Sequence, residues 1–329
     1  MGTSETPKGR DVVAEAVKAF PGDGLVGAFA YGSGVFEQIA ANQDGASTAT
    51  KDKPLVDIIL IVEDAVEWHK QNLERHAGHY SCLSLLGPQV ISKVQHSGGY
   101  MYFNTDVTVP QVPEVRLKYG VISQHDAIRD LTEWDALYLS GRLHKPVRFI
   151  RDAEPGEPLR NALHTNLAHA MHTAFLLMPE RFSEQQLYHC ISGLSYAGDI
   201  RMSLAENPDK VANIVRGSMP HFKTLYSRFL DSPQSSGLLG SFSCSPSEDG
   251  ARAIQQDMCP KARKSIASTL PFLAHLPADQ RIDPVAIQNV LRKTVSRSSR
   301  IQSAKGPLTA GALTAVRYGL RKVGKRFLR

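Results

Sequence analysis

Residues 28–38 read AFAYGSGVFEQ. An apolar run reaches Tyr31, and then Gly32, Ser33 and Gly34 follow. Two glycines around a serine serve a plain turn, because glycine takes backbone angles that other residues resist. They equally suit a loop whose amides and hydroxyl approach a phosphate closely. Downstream, LVDIILIV at 55–62 carries one acid, Asp57, in an otherwise apolar run. Burying an acid there is costly unless it is paired or bound to a metal. The other placement is the solvent face of an edge strand. No Walker lysine follows the glycines, so a P-loop is excluded.

These residues need elements to hold them. Residues 10–19 read as a short helix, 25–31 as a buried strand and 39–54 as a polar loop. The run 55–62 is the strongest strand signal in the chain. A helix follows over 64–76, with Asp64 as its N-cap. YMYFN, EVRLKYGVI and PVRFI are further strand candidates, with a helix at 124–139 before the last. Beyond residue 155 the pattern turns helical, over 183–196, 208–216, 218–230 and again from 251 to 295. Residues 231–250 have loop composition. A domain boundary is placed near residue 150. The parts are then 1–150, 151–300 and a tail, 301–329.

The 329 residues suffice for two domains with cores. No apolar run is long enough for a membrane-spanning helix, which needs about 18 residues. Cys82, Cys190, Cys244 and Cys259 are scattered and form no Cys-x-x-Cys pair, so they read as reduced thiols. The first residues, MGTSETPKGRD, read neither as a secretory signal nor as an organelle presequence. His164, His169 and His172 share one predicted helix without nearby cysteines or acids, and a zinc site is not expected. Trp68 and Trp134 read as core aromatics. Of the 38 basic residues, eleven lie in 284–329, where there is no acid; the other 27 face 32 acids. The formal charge of +6 therefore belongs to the tail.

A strand, a Gly-Ser turn, a loop and a strand with an inward acid resemble the layout of nucleotidyltransferases related to DNA polymerase beta. That likeness implies a turn that holds a triphosphate and an acid that holds Mg2+, whose charge offsets that of the phosphates. The second acid of that pattern would stand two residues on, where this chain has Ile59, and the 24 positions from Ser33 to Asp57 are a long gap. The likeness becomes specific in seven blocks taken in order: FAYGSGVF, VDIILIVEDAVEWHKQNL, KYGVIS, LYLSGRLHKPV, YAGDIRM, ENPDKVANIV and LTAGALTAVRYGLRKVGKR. Together they resemble the mitochondrial translocator assembly and maintenance family. The resemblance implies an α/β (α+β) fold: a nucleotidyltransferase-like mixed sheet with helices, then a mainly helical winged-helix-like domain and an amphipathic C-terminal helix.

It also implies an activity, transfer of CMP from CTP to phosphatidic acid, giving CDP-diacylglycerol for cardiolipin, at the matrix side of the mitochondrial inner membrane as a peripheral protein. Carried over residue by residue, Tyr31, Gly32, Ser33 and Gly34 match the phosphate turn, and Asp57 matches the metal-binding acid. Lys118, Arg142 and Lys145 are cations for triphosphate or phosphatidate. Asp199 in GDIRM resembles a second functional acid and metal ligand, with Arg201 and Lys210 as weaker candidates beside it. His144 takes no assigned role. From the residues alone, Lys118 also suits an exposed strand position, Arg142 and Lys145 suit solvated loop charges, and Asp199 suits a helix cap.

In the tail, Leu313, Val316, Leu320, Val323 and Phe327 fall within roughly 80° on a helical wheel. Arg317, Arg321, Lys322, Lys325, Arg326 and Arg329 fill the other half. Such a helix suits an anionic membrane surface, or docking on the chain's own body. Pro307 is expected ahead of it. A nucleic-acid partner is not expected, because the apolar stripe has no use there. Two other functions stay open: a nucleotidyltransferase acting on RNA or another small acceptor, and a non-catalytic assembly factor with a degenerate transferase fold, which Ile59 keeps in play.

Overall fold

The computed structural model describes residues 11–32, 53–150, 153–204, 208–231, 241–246 and 252–310. Ser33, Gly34 and the tail residues Leu313, Val316, Arg317, Leu320, Arg321, Lys322, Val323, Lys325 and Phe327 lie outside them.

Five strands form a mixed sheet: β1 (Leu25–Tyr31), β2 (Leu55–Val62), β3 (Tyr102–Val107), β4 (Arg116–Ser123) and β5 (Arg148–Phe149), in the order β3-β4-β2-β1-β5. The β2–β4 pair is parallel and the others are antiparallel. A parallel pair needs a crossover, and here it contains α2 (Ala65–His76), α3 (Pro88–His96) and β3. The oxygen of Asp64 caps α2 by accepting from the amides of Val66 and Glu67. Side chains alternate across the sheet. One face packs Ala28, Ile58, Leu60, Leu117 and Tyr119 against α1 (Val12–Val17) and Trp68 of α2. The other packs Phe29, Ile59, Ile61 and Ile122 beneath α4 (Gln124–Glu133), α5 (Ser140–Leu143) and the start of α6 (Glu157–Leu177).

The helix expected over 124–139 stops at Trp134, whose φ of 57° is left-handed. The reason is Asp130. Its buried carboxylate accepts from the amides of Ala136, Leu137, Tyr138, Leu139 and Ser140 and from the Ser140 hydroxyl, at 2.8–3.2 Å. Five successive amides turned toward one acid cannot also continue a helix.

The remainder contains α6, α7 (Glu184–Leu194), α8 (Ile200–Leu204), α9 (Lys210–Leu230), α10 (Pro260–Ser268) and α11 (Pro284–Ala310). A second sheet, antiparallel and ordered β6-β8-β7, joins β6 (Arg181–Ser183), β7 (Ser241–Pro246) and β8 (Arg252–Asp257). Helices with a β-hairpin agree with the winged-helix-like expectation. The helices expected at 208–216 and 218–230 are one element bent at Ser218, two residues before Pro220, which lacks an amide hydrogen. Two expectations are corrected. The 231–250 loop contains β7, and the helical stretch from 251 opens with β8; SFSCSP and RAIQQD have little strand character, and cross-strand pairing holds them.

The boundary near residue 150 is not a gap. Trp134 and Leu137 pack into the core of the second part, and the Tyr226 hydroxyl donates to the His144 carbonyl at 2.7 Å. Nor does a separate tail begin at 301. Residues 301–310 are the end of α11, Pro307 lies inside that helix, and this end packs on β3. There Gln302 Nε2 donates to the Met101 carbonyl at 2.9 Å, and Lys305 Nζ donates to the carbonyls of Val94, Gln95, Ser97 and Met101. Among the described residues no helix is long and apolar enough to cross a membrane.

Candidate active site

Strand β1 ends where β2 begins, so the turn at Gly32 and the acid Asp57 share one end of the sheet. The register pairs Tyr31 with Asp57 and Asp57 with Lys118. Those three therefore stand in a row across adjacent strands, on the face that carries Phe29, Ile59 and Ile61. Ile59, at the position of the missing second acid, is wholly buried in that face. Lys118 Nζ lies 3.2 Å from Asp57 Oδ1 and 4.7 Å from the centre of the Phe103 ring. Both partners are only part-exposed, so Lys118 is not a solvated strand residue.

Arg142, on α5 after the turn that Asp130 organises, lies 5.3 Å from the Tyr31 ring centre and 4.1 Å from that of Tyr138. Its NH1 donates to the Tyr138 carbonyl at 2.5 Å. Burial opposes its charge, but the Tyr138 and Tyr31 phenols outweigh that and raise its pKa. Burial also works to raise the Tyr138 pKa, and there Arg142, Arg201 and Lys118 prevail and lower it. Lys145 reaches the end of α7: its Nζ donates to the Gly141 carbonyl and, at 2.9 Å, to Ser195 Oγ. It lies 5.1 Å from the Tyr196 ring centre, and Lys210 lies 5.2 Å from the same ring. Burial first, then Arg142 and Lys210, push the Lys145 amine well below the usual lysine range. The His144 imidazole is likewise pushed well down by burial.

Asp199 is buried and accepts from the Arg201 amide, Nε and NH2 at 2.6–3.0 Å. Burial works against its charge, but the Arg201 bonds and the charges of Arg201 and Arg142 hold its carboxyl below the ordinary range. Both of its oxygens thus accept from Arg201, and the bond from the Arg201 amide caps α8.

Contacts thus join Tyr31, Asp57, Lys118 and Arg142 beside Gly32, Lys145 and Lys210 share the Tyr196 ring, and Asp199 pairs with Arg201; the charge of Arg142 acts on Lys145, Asp199 and Arg201. Reading the sequence misses Asp130, Tyr138, Ser195 and Tyr196. Asp130 carries the one legible signal, an acid inside a helix that would otherwise run on.

A magnesium ion fits one part of this set. Asp57 Oδ1 is buried, and Lys118 Nζ approaches it at 3.2 Å as an ion pair. Gly32 has φ +83°, and a Cβ there would stand 3.8 Å from Asp57 Oδ2, in the space over the carboxylate. No group of three or more His, Cys, Asp or Glu that could hold a metal occurs among the described residues. A single carboxylate suits magnesium, which keeps waters and takes phosphate oxygens from its substrate. A separate cavity of about 450 Å³ opens at the other end of β2 and β4, beside Asp64 and Asp126. Three acids line it: Glu63, Asp64, which caps α2, and Asp126, whose Oδ2 accepts from the Ser123 hydroxyl and meets His96.

Residues 13–325 match the family described as phosphatidate cytidylyltransferase, mitochondrial. The chain belongs to that family. A relative in Danio rerio with that name is 39% identical over 330 residues, covering 94% of this chain and 92% of its own. One in Xenopus laevis is 38% identical, covering 91% and 89%, and one in Drosophila melanogaster is 36% identical, covering 96% and 99%.

Proposed function

We propose that the protein transfers CMP from CTP to phosphatidic acid, releasing pyrophosphate and CDP-diacylglycerol, the precursor of cardiolipin. The observation that carries the reading is the row Tyr31–Asp57–Lys118 beside the Gly32 turn, facing Arg142 and Lys145 across one site. Membership of the family supports the choice of substrates.

A phosphate oxygen of the lipid attacks the α-phosphorus of CTP, and the bond to pyrophosphate breaks. The lipid phosphate is already anionic at neutral pH, so no strong general base is needed. Asp57 would hold Mg2+, which supplies positive charge against the triphosphate. The backbone at Gly32 would lie close to the phosphates. Lys118 and Arg142 neutralise charge that builds on the transferred group, and Arg142, braced between two tyrosines, does so without reorganising. Lys145, Arg201 and Lys210 bind the phosphate of the second substrate. Asp199 acts by orienting Arg201, a positioning role in place of metal binding. The protein works as a peripheral enzyme on the matrix face of the mitochondrial inner membrane, held by its basic tail.

The test is to incubate the full chain with magnesium, each α-labelled NTP and either phosphatidate or RNA. The reading expects labelled lipid from CTP alone. Labelled RNA would establish the RNA alternative, and no transfer to any acceptor would establish a non-catalytic role.

A further inference from the structure

Among the described residues, Leu85 is 86% exposed, Leu86 61% and Leu308 46%, from segments far apart in sequence. One hydrogen bond joins them: Ser81 Oγ donates to the Leu308 carbonyl at 2.6 Å. The same oxygen caps the single 3-10 turn Cys82–Leu86 by accepting from the Leu83 amide. Only Leu83 of this turn enters a core, with Tyr80, Ile91 and Tyr102. Leu85 and Leu86 thus project from a turn that is fixed at its base, and Gly87, at φ +82°, turns the chain into α3. The end of α11 is fixed too, by the four carbonyls around Lys305 Nζ.

On α11 the exposed charge is of one sign. On a wheel of about 100° per residue, Lys293, Arg297 and Arg300 lie within about 80° of Leu308 on one side. Gln302, Lys305 and Thr309 lie on the other side and are buried, whereas the three cations are exposed. From Pro284 to Arg329 there is no acid, and 311–329 adds six more cations. An apolar tip at the end of a helix with a line of exposed cations complements an anionic bilayer, where leucines enter the acyl boundary and cations meet headgroups.

We propose that Leu85, Leu86 and Leu308 form a membrane-inserting tip, distinct from the basic tail, which enters an anionic bilayer while the cations of α11 lie along its headgroups. The proposal rests on the lipid-substrate reading above. It makes the turn Cys82–Leu86 a second, sequence-distant anchor that fixes the orientation of the catalytic body on the membrane, which a single helical tail does not.

The full chain carrying Leu85→Trp tests it with vesicles of phosphatidylcholine containing phosphatidic acid and brominated acyl chains. Trp68 and Trp134 are each 1% exposed and leave a constant background. The expected result is a blue shift and quenching on these vesicles. In the otherwise native chain, Leu85→Ser with Leu86→Ser should weaken vesicle affinity about tenfold or more. Turnover of short-chain, detergent-dispersed phosphatidate should stay within about twofold of the native chain, because these leucines lie outside the site. Unchanged vesicle affinity, or a tryptophan that bound vesicles do not quench, would overturn the proposal. So would a blue-shifted Leu85→Trp spectrum in buffer that moves red when 311–329 is removed, since the chain's own tail would then cover the tip. A chain that is quenched on vesicles but transfers no CMP would support the tip and contradict the functional reading.

Discussion

Lys145 is the cation whose charge is most contested in the site. Burial, Arg142 and Lys210 all press its amine toward the neutral form. A bound phosphate favours the charged form, so substrate binding should take up a proton at alkaline pH. The affinity for substrate is therefore full at low pH and lost as pH rises through the range where the free enzyme's Lys145 deprotonates. KM should climb with pH below the usual lysine range while kcat changes less, and Lys145→Met should raise KM and remove that part of the profile. A KM profile that is the same in the variant would take Lys145 out of the binding set. The sequence makes these residues unequally legible. Asp57 stands out because an acid in LVDIILIV has no cheap burial. Arg142 and Lys145 lie in an ordinary-looking polar stretch, and only resemblance to a family marks them, since the tyrosines that brace Arg142 come from β1 and a distant turn. Asp199 as a helix cap and Asp199 as a functional acid read alike in sequence, and the structure shows the cap, with Oδ1 accepting from the Arg201 amide at the start of α8, together with bonds from the Arg201 guanidinium.

At the scale of elements, the turn 134–140 owes its shape to a single carboxylate. Asp130→Asn puts an amide among five backbone donors and leaves several buried N–H groups without acceptors, at about 1–3 kcal/mol each. Its melting temperature should fall, and transfer should fall further than a comparable loss of stability elsewhere brings, because Tyr138 sits on that turn and Arg142 on α5, which the turn leads into. Equal destabilisation by a core variant such as Ile191→Val, with the same residual activity, would contradict that link. A second element-level device is the network under α2. His69, wholly buried, meets Tyr80 and Gln95 at 2.8 Å, and burial pushes its pKa down from 6.5 to about 4. Between those values the unfolded chain binds more protons than the folded one. The stability is therefore full above pH 6.5 and is lost as pH falls toward about 4, by about 3 kcal/mol for a shift of this size. Urea midpoints across that range should show the fall, and His69→Gln should reduce it, leaving the share of His79, His169 and His172, which burial also lowers to about 4. The strands β1 and β2 were legible to the residue because long apolar runs have few other uses. The strands β7 and β8 were not, because polar serine and glutamine pair there only by tertiary context.

At the scale of the whole molecule, α11 returns from the second part to the first, and its end packs on β3. Sequence could not show this docking, since a lysine such as Lys305 reads as surface until four carbonyls are seen around it. If the tail serves only to recruit the enzyme, deleting 311–329 should sharply lower activity on phosphatidate in anionic vesicles and leave activity on the detergent-dispersed substrate largely intact. Equal loss on both would mean that the tail completes the catalytic body. The central claim, that one site built around Asp57 moves CMP onto phosphatidate, is tested most directly with CTP labelled at the α-phosphorus, magnesium and dispersed phosphatidate. The native chain should put the label into CDP-diacylglycerol. Asp57→Asn, nearly isosteric and melting as the native chain does, should lose nearly all of that transfer, because an amide is a poor magnesium ligand. A folded Asp57→Asn chain that keeps more than about a tenth of native transfer would contradict the account.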